Sequence, residues 1–253
     1  MNLKNKALLL STTLLMSGSQ LALAQDNSDR LTKLYHKAVI DASVAEKDEI
    51  SDQLTAITPD NNKLVWNKEK NKILVVTWKS QYAYENYIKP YNKTSDKEAF
   101  VTWVTAVPEV KEFCTNFTEK KKKANQNKLN TRLKKLLGLN STWEYDVFVE
   151  LWVSPDDLFR PCTDPGINDT TCNLNFGEST PTVKNIADYK RFYQNLYYSS
   201  FRAADNIVPW TGLGYTYDWA RNNTDVGMSE FIIVPSGEYE INKVTTTAEY
   251  CKA

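Results

Sequence analysis

Leu31, Leu34, Ala38, Val39 and Ala42 recur at the three- and four-residue spacing of one helix face, and Ile50, Leu54 and Ile57 continue it. This pattern predicts helix over residues 28–58, as one rod or two, stopped by Pro59-Asp60-Asn61-Asn62. Alternation then replaces helical spacing. "KLVWN" and "KILVVTW" flank the polar tip Lys68-Glu69-Lys70-Asn71 and read as a hairpin. In the second run Ile73, Val75 and Thr77 share one face, and Leu74, Val76 and Trp78 the other. Both faces are largely apolar, as in a central strand.

Two later stretches share a grammar: "AFVTWVTAVPEVKEF" and "VFVELWVSPDDLF" each run from strand through proline and acid toward a helical turn. In the second, Ser154 suits an N-cap, Pro155 the first helical position, and Asp156 and Asp157 the positive helix start. Between them residues 109–139 read as helical, with Leu129, Leu133, Leu136 and Leu137 as the apolar stripe and Gly138 as the stop. Ile186, Tyr189, Phe192, Tyr193 and Leu196 mark another helix over 183–198. The tail "MSEFIIV" and "EYEINKV", broken at Pro235-Ser236-Gly237, reads as a second hairpin. Hairpins beside separate helices argue an α+β fold, a mainly antiparallel sheet with helices packed on it. No linker divides residues 61–253, which read as one domain behind a helical arm at 25–60.

The first residues stand apart from this pattern. Lys4 and Lys6 precede the apolar run Ala7–Met16, and Ala22-Leu23-Ala24 has the form of a cleavage site, so residues 1–24 read as a signal peptide. Export to the periplasm or the medium is the expectation, with no stretch of membrane-spanning length. In that setting Cys114, Cys162, Cys172 and Cys251 read as disulfides. Three connectivities are open. Cys162–Cys172 is favoured because it closes a short loop rich in turn residues, and it leaves Cys114–Cys251 to pin the C-terminus. No C-x-x-C occurs and only one histidine exists, which argues against a metal site.

The chain has 31 basic and 31 acidic residues. This balance argues against nucleic acid as a partner. Lys120–Lys123, Lys128, Arg132, Lys134 and Lys135 form a local basic stretch. It lacks interleaved aromatics and reads as the solvated side of a helix. The single histidine, His36, sits on the N-terminal helix, so a serine or cysteine triad is not expected. "GLG" at 212–214 lacks the rest of a phosphate-binding fingerprint.

Seven Trp and fourteen Tyr are the positive compositional signal. "PWTGLGYTYDW" over 209–219 concentrates them. As a strand it puts Tyr215, Tyr217 and Trp219 on one face and Gly214, Thr216 and Asp218 on the other. The aromatic face reads as core, and the small polar face as the floor of a pocket edged by Asp218. A buried Asp218 needs a partner such as Arg160, Arg202 or Arg221. Trp210, Tyr215, Tyr217, Trp219, Asp218 and Arg160 are the candidate ligand-binding residues, for a small molecule, a glycan or a protein.

"LWVSPDDLFRPC", "GYTYDW", "VGMSEF" and "TTTAEYC" resemble an uncharacterised family of exported bacterial proteins, over roughly residues 99–253. The chain is also similar to ADP-ribosyltransferases in the order of three elements. These are Leu158-Phe159-Arg160, Tyr198-Ser199-Ser200-Phe201, and Ser229-Glu230-Phe231 with the strand to Gly237. The resemblance implies NAD as cofactor, with Arg160 on its phosphates, Ser199 ordering the site and Glu230 stabilising a ribosyl cation. Pro161 after the arginine and Met228 before the Ser-Glu pair depart from that pattern. The simpler roles pair Arg160 with Asp156, put Ser199 in a turn and leave Glu230 exposed at a strand start. Three functions are therefore carried forward: a ligand- or partner-binding domain, an NAD-dependent transferase or glycohydrolase, and an assembly protein acting through its N-terminal helices.

Overall fold

The computed structural model describes residues 28–120, 125–202, 207–220 and 224–252. The signal-peptide segment and Lys121–Lys123 of the basic stretch lie outside them. The fold is α+β. Helix α1 spans residues 28–41. Strand β1 (Ile73–Lys79) is followed by α2 (Gln81–Tyr87), β2 (Thr102–Ala106), α3 (Glu109–Lys120) and α4 (Gln126–Leu136). Then come β3 (Val147–Val153), a 3-10 turn at Pro155–Asp157, β4 (Leu158–Phe159) and α5 (Tyr189–Arg202). Strands β5 (Tyr215–Tyr217), β6 (Val226–Ser229), β7 (Phe231–Ile233) and β8 (Tyr239–Thr246) precede the final turn of helix α6 (Thr247–Tyr250).

Six strands form one antiparallel sheet in the order β4-β7-β2-β1-β3-β8, and β5 and β6 pair separately. β1 is central and buried on both faces, as its apolar run predicts. The tail differs from expectation. β7 and β8 do not pair as a hairpin: β7 lies between β4 and β2, and β8 lies on the far edge against β3. Four strand steps at about 4.8 Å separate β3 from β4 in a flat sheet, about 19 Å. The five residues from Val153 to Leu158 reach at most about 18 Å when extended. The sheet must therefore curl, and its two crossing connections meet where the Val234 N–H donates to the Asp157 carbonyl at 2.9 Å.

Helical structure in the N-terminal segment stops at residue 41, apart from a 3-10 turn at Lys47–Glu49. Leu54 and Ile57 are buried as their periodicity suggests, but on extended chain whose N–H groups donate to the carbonyls of Thr170 and Ile167. A partner backbone outcompeted helical hydrogen bonds there. The apolar stripe of α1 is used within the chain: Tyr35, Ala38, Val39 and Ala42 pack on Tyr217 and Trp219. The α4 stop follows the sequence closely. Gly138 takes φ +66°, the Leu139 N–H returns to the Lys134 carbonyl, and the Gly138 N–H returns to that of Lys135.

Apolar residues of the sheet divide between its faces. Ile73, Val75, Val104, Ala106 and Phe231 belong to one core, under the extended 50–66 segment and α2. The other face splits. Leu74, Val76, Trp78 and Phe148 pack under α3 and α4, whereas Trp103, Phe159 and Ile232 pack under α5. Cys114–Cys251 and Cys162–Cys172 are the two disulfides. Cys114–Cys251 joins α3 to the residue after α6, beside a stack of Trp78, Phe148 and Tyr250. No helix among the described residues is long and apolar enough to cross a membrane.

Candidate functional site

β1 and β2 pair at only two positions, Val75↔Ala106 and Val76↔Thr105. Beyond them β1 continues to Lys79 on β3 alone, and β2 runs back to Thr102 on β7 alone. The strands split, and a cavity of about 510 Å³ opens there, between α5 and the C-terminal end of α4. This is the size range of small-molecule sites. The indoles of Trp78, Trp103, Trp143 and Trp210 wall it, with Tyr145 and Tyr217. Leu196, Ser199 and Ser200 of α5, Gly138, Thr216 and Lys79 complete much of the lining.

Strand alternation puts the polar groups of this site together. Trp103↔Ile232 and Val104↔Phe231 are register partners. One position further in that register sets Glu230 across from Thr105, which itself pairs with Val76. Glu230 is 7 % exposed and Thr105 also 7 %. The Glu230 Oε1, the Thr105 hydroxyl and the Trp210 indole N–H are buried with no hydrogen-bond partner among the described residues. Burial pushes the Glu230 carboxyl up to about 8, so it is mostly protonated at neutral pH. Burial also lowers the ammonium pKa of Lys79, which is partly buried in the same cavity and has no ion-pair partner among the described residues. Lys79 forms no ion pair with Glu230.

The other expected site residues are distributed as follows. Trp210 and Tyr217 line the cavity, and so does Ser199, which is in α5 rather than in a turn. Glu230 is buried rather than exposed. Tyr215 and Trp219 are core residues. The Tyr215 hydroxyl donates to the Glu49 carbonyl, and Trp219 meets Tyr35 edge to face. Of the small polar face at 214–218 only Thr216 borders the cavity; Gly214 packs against Arg160 and Asp218 is taken by α4. The Thr216 hydroxyl donates to the Leu136 carbonyl at 2.7 Å. Asp218 accepts both guanidinium nitrogens of Arg132, at 3.0 and 2.6 Å. Its described partner is thus Arg132 of the basic stretch rather than Arg160 or Arg202, while Arg221 lies outside the described residues. Lys134 donates to the Ser141 carbonyl and Lys135 stands over the Trp219 ring, so that stretch also serves the fold.

Arg160 is fully buried, and its partner is Asp169 rather than Asp156. Its NH1 donates to the Asp169 carboxylate and the Thr171 carbonyl, and its NH2 to the carbonyls of Thr55 and Asp169. These four bonds tie the extended N-terminal segment to the Cys162–Cys172 loop. Gly214 is required beside it: φ is +78°, and a Cβ would lie 2.5 Å from the Arg160 Cδ and 2.7 Å from the Cys172 Sγ. Arg160→Leu strands three carbonyls and is expected to destabilise by about 3 kcal/mol. Urea midpoints of the two proteins measure this, and equal midpoints refute it.

Cys162, Asp164 and Cys172 cluster closely, but both sulfurs are spent in the disulfide. His36 is exposed on α1. Sequence reasoning passed over Trp103, Thr105 and Lys79 as site residues. The signal was "Trp-Val-Thr" itself, since alternation puts Trp103 and Thr105 on one strand face. No protein-family model matches the chain, and no curated protein or solved structure is significantly similar to it.

Proposed function

We propose that this chain is an exported binding protein that holds a small, largely apolar molecule in the cavity at the β1–β2 split. The observation that carries this reading is three buried, unpartnered polar atoms, on Glu230, Thr105 and Trp210, within walls of indole. Each such atom costs about 1–3 kcal/mol when left unsatisfied. A ligand with matching polar groups removes that cost and covers the apolar walls. Two disulfides favour a location outside the cytoplasm, in the periplasm or the medium.

The NAD-dependent alternative keeps Glu230 and Ser199 at the cavity but has less support, because NH1 and NH2 of Arg160 already make four hydrogen bonds within the fold. An assembly role through the N-terminal helix is likewise less supported, since the α1 stripe is covered by Tyr217 and Trp219.

The neutral dye N-phenyl-1-naphthylamine tests the reading. Its fluorescence should rise and saturate at one dye per chain. Val101→Trp, which places bulk in the cavity wall, should reduce the affinity at least tenfold while thermal unfolding stays cooperative. Absence of saturable binding to the unaltered chain would sink the proposal.

A further inference from the structure

Resting on that cavity reading, we propose that the ligand is a small organic cation, its positive nitrogen against the Glu230 carboxylate and its carbon framework against the indoles of Trp78, Trp103, Trp143 and Trp210. Glu230 is a buried acid that the described residues leave without a cation. Arg160, over the Phe231 ring, gives all its NH1 and NH2 contacts to Asp169, Thr171 and Thr55. Lys79 makes no ion pair with Glu230. A positive ligand supplies the missing counter-charge. Indole faces attract a cation through their negative π-faces, most strongly when water is excluded. Aliphatic walls would serve a neutral apolar ligand as well, but they lack this attraction. The Thr105 hydroxyl, across the register from Glu230, can accept from a protonated amine.

Binding a cation ionises Glu230 and releases its proton. Affinity for a permanently charged ligand should therefore rise about tenfold per pH unit between pH 6 and 7.5, and level off above the Glu230 pKa of about 8. The other titratable groups facing this region, among the described residues, are Lys79 from β1, Tyr145 from the segment before β3, and Tyr215 and Tyr217 from β5. Burial raises all three phenols out of that window. Lys79 is shifted downward, and its deprotonation also favours a cation, so it needs its own control.

The test is a matched pair of probes, benzyltrimethylammonium and its neutral carbon isostere neopentylbenzene, titrated against the tryptophan fluorescence of the full chain from pH 6 to 8.5. At pH 8.5 the cation should bind at least tenfold more tightly than the isostere. That preference should vanish in Glu230→Gln, and the pH rise should persist in Lys79→Met. Equal affinities for the two probes with no pH dependence overturn the cation inference and leave the binding reading intact. A pH rise that survives in Glu230→Gln and disappears in Lys79→Met also overturns it. Failure of both probes to bind overturns both readings. If Glu230→Gln does not fold, the pH profiles of the unaltered chain and Lys79→Met decide.

Discussion

Replacing Cys114 and Cys251 together by alanine is expected to lower the unfolding free energy by about 5 kcal/mol at 25 °C. The pair closes a loop with a sequence separation of 137 residues, and the chain-entropy relation grows with the logarithm of that length. The same relation gives about 3 kcal/mol for Cys162–Cys172, whose separation is 10. The structure adds a reason for the longer loop to dominate. Cys251 follows Tyr250, which stacks on Phe148, and Thr247 of the same short helix accepts the Trp78 indole N–H at 2.8 Å. Without the covalent tie, a four-residue helix must hold its place by non-covalent contacts alone. Denaturant titrations of the two double variants, with matched slopes, measure the order. A larger loss for the Cys162–Cys172 variant would refute it.

The second expectation is that the protein is more stable at pH 5 than at pH 8. Glu230 is held up to about 8 by burial, and Glu109 up to about 7, again chiefly by burial, with the Thr55 hydroxyl donating to it. Both folded values lie above the usual glutamate value near 4.3. The unfolded chain therefore loses these protons first. Their favourable contribution is complete below about pH 4.3 and is lost as pH rises toward 7 for Glu109 and 8 for Glu230. For Glu230 the total is on the order of 5 kcal/mol, at about 1.4 kcal/mol per pH unit within the window. Glu230→Gln keeps the shape and removes the charge. Its stability should fall less between pH 5 and 8, and at pH 8 it should exceed that of the unaltered chain. Thermal unfolding at several pH values reads this directly. Parallel pH profiles for the two proteins would show that Glu230 ionises normally in the folded state.

These expectations trace to different levels of the molecule. Cys162–Cys172 was legible as text, because the loop between them holds Asp164, Pro165, Gly166, Asn168 and Asp169, turn residues that bring its ends together. Gly138 was legible for a similar reason: an apolar stripe followed by glycine has one local solution, a left-handed cap. β1 could be read as central from its two apolar faces alone. In each case the physics is settled within a few residues of chain.

Where long-range partners compete with local preference, the sequence was silent or misleading. Leu54 and Ile57 carry helical spacing, yet their N–H groups bond to the 167–170 segment, which no local pattern announces. β7 and β8 look like the arms of a hairpin, but β7 lies between β4 and β2, and β8 pairs with β3 at the far edge of the sheet. Asp218 looked like the edge of a pocket, and Arg132, 86 positions away, claimed it.

The candidate site shows the same division. The sequence by itself determined an α+β chain rich in tryptophan, and it singled out Glu230, Ser199, Trp210 and Tyr217. Alternation on β2 also fixes Trp103 and Thr105 to one face. Only the tertiary structure decided that β1 and β2 part after two residue pairs, so that these side chains surround a cavity rather than a packed seam. Only it decided that Arg160 is bonded away from that cavity while Glu230 is buried within it and unpaired. The physical reason is one of range. Side-chain direction follows from backbone periodicity, which is local. Burial, vacancy and the presence or absence of a counter-charge depend on which distant elements arrive to pack.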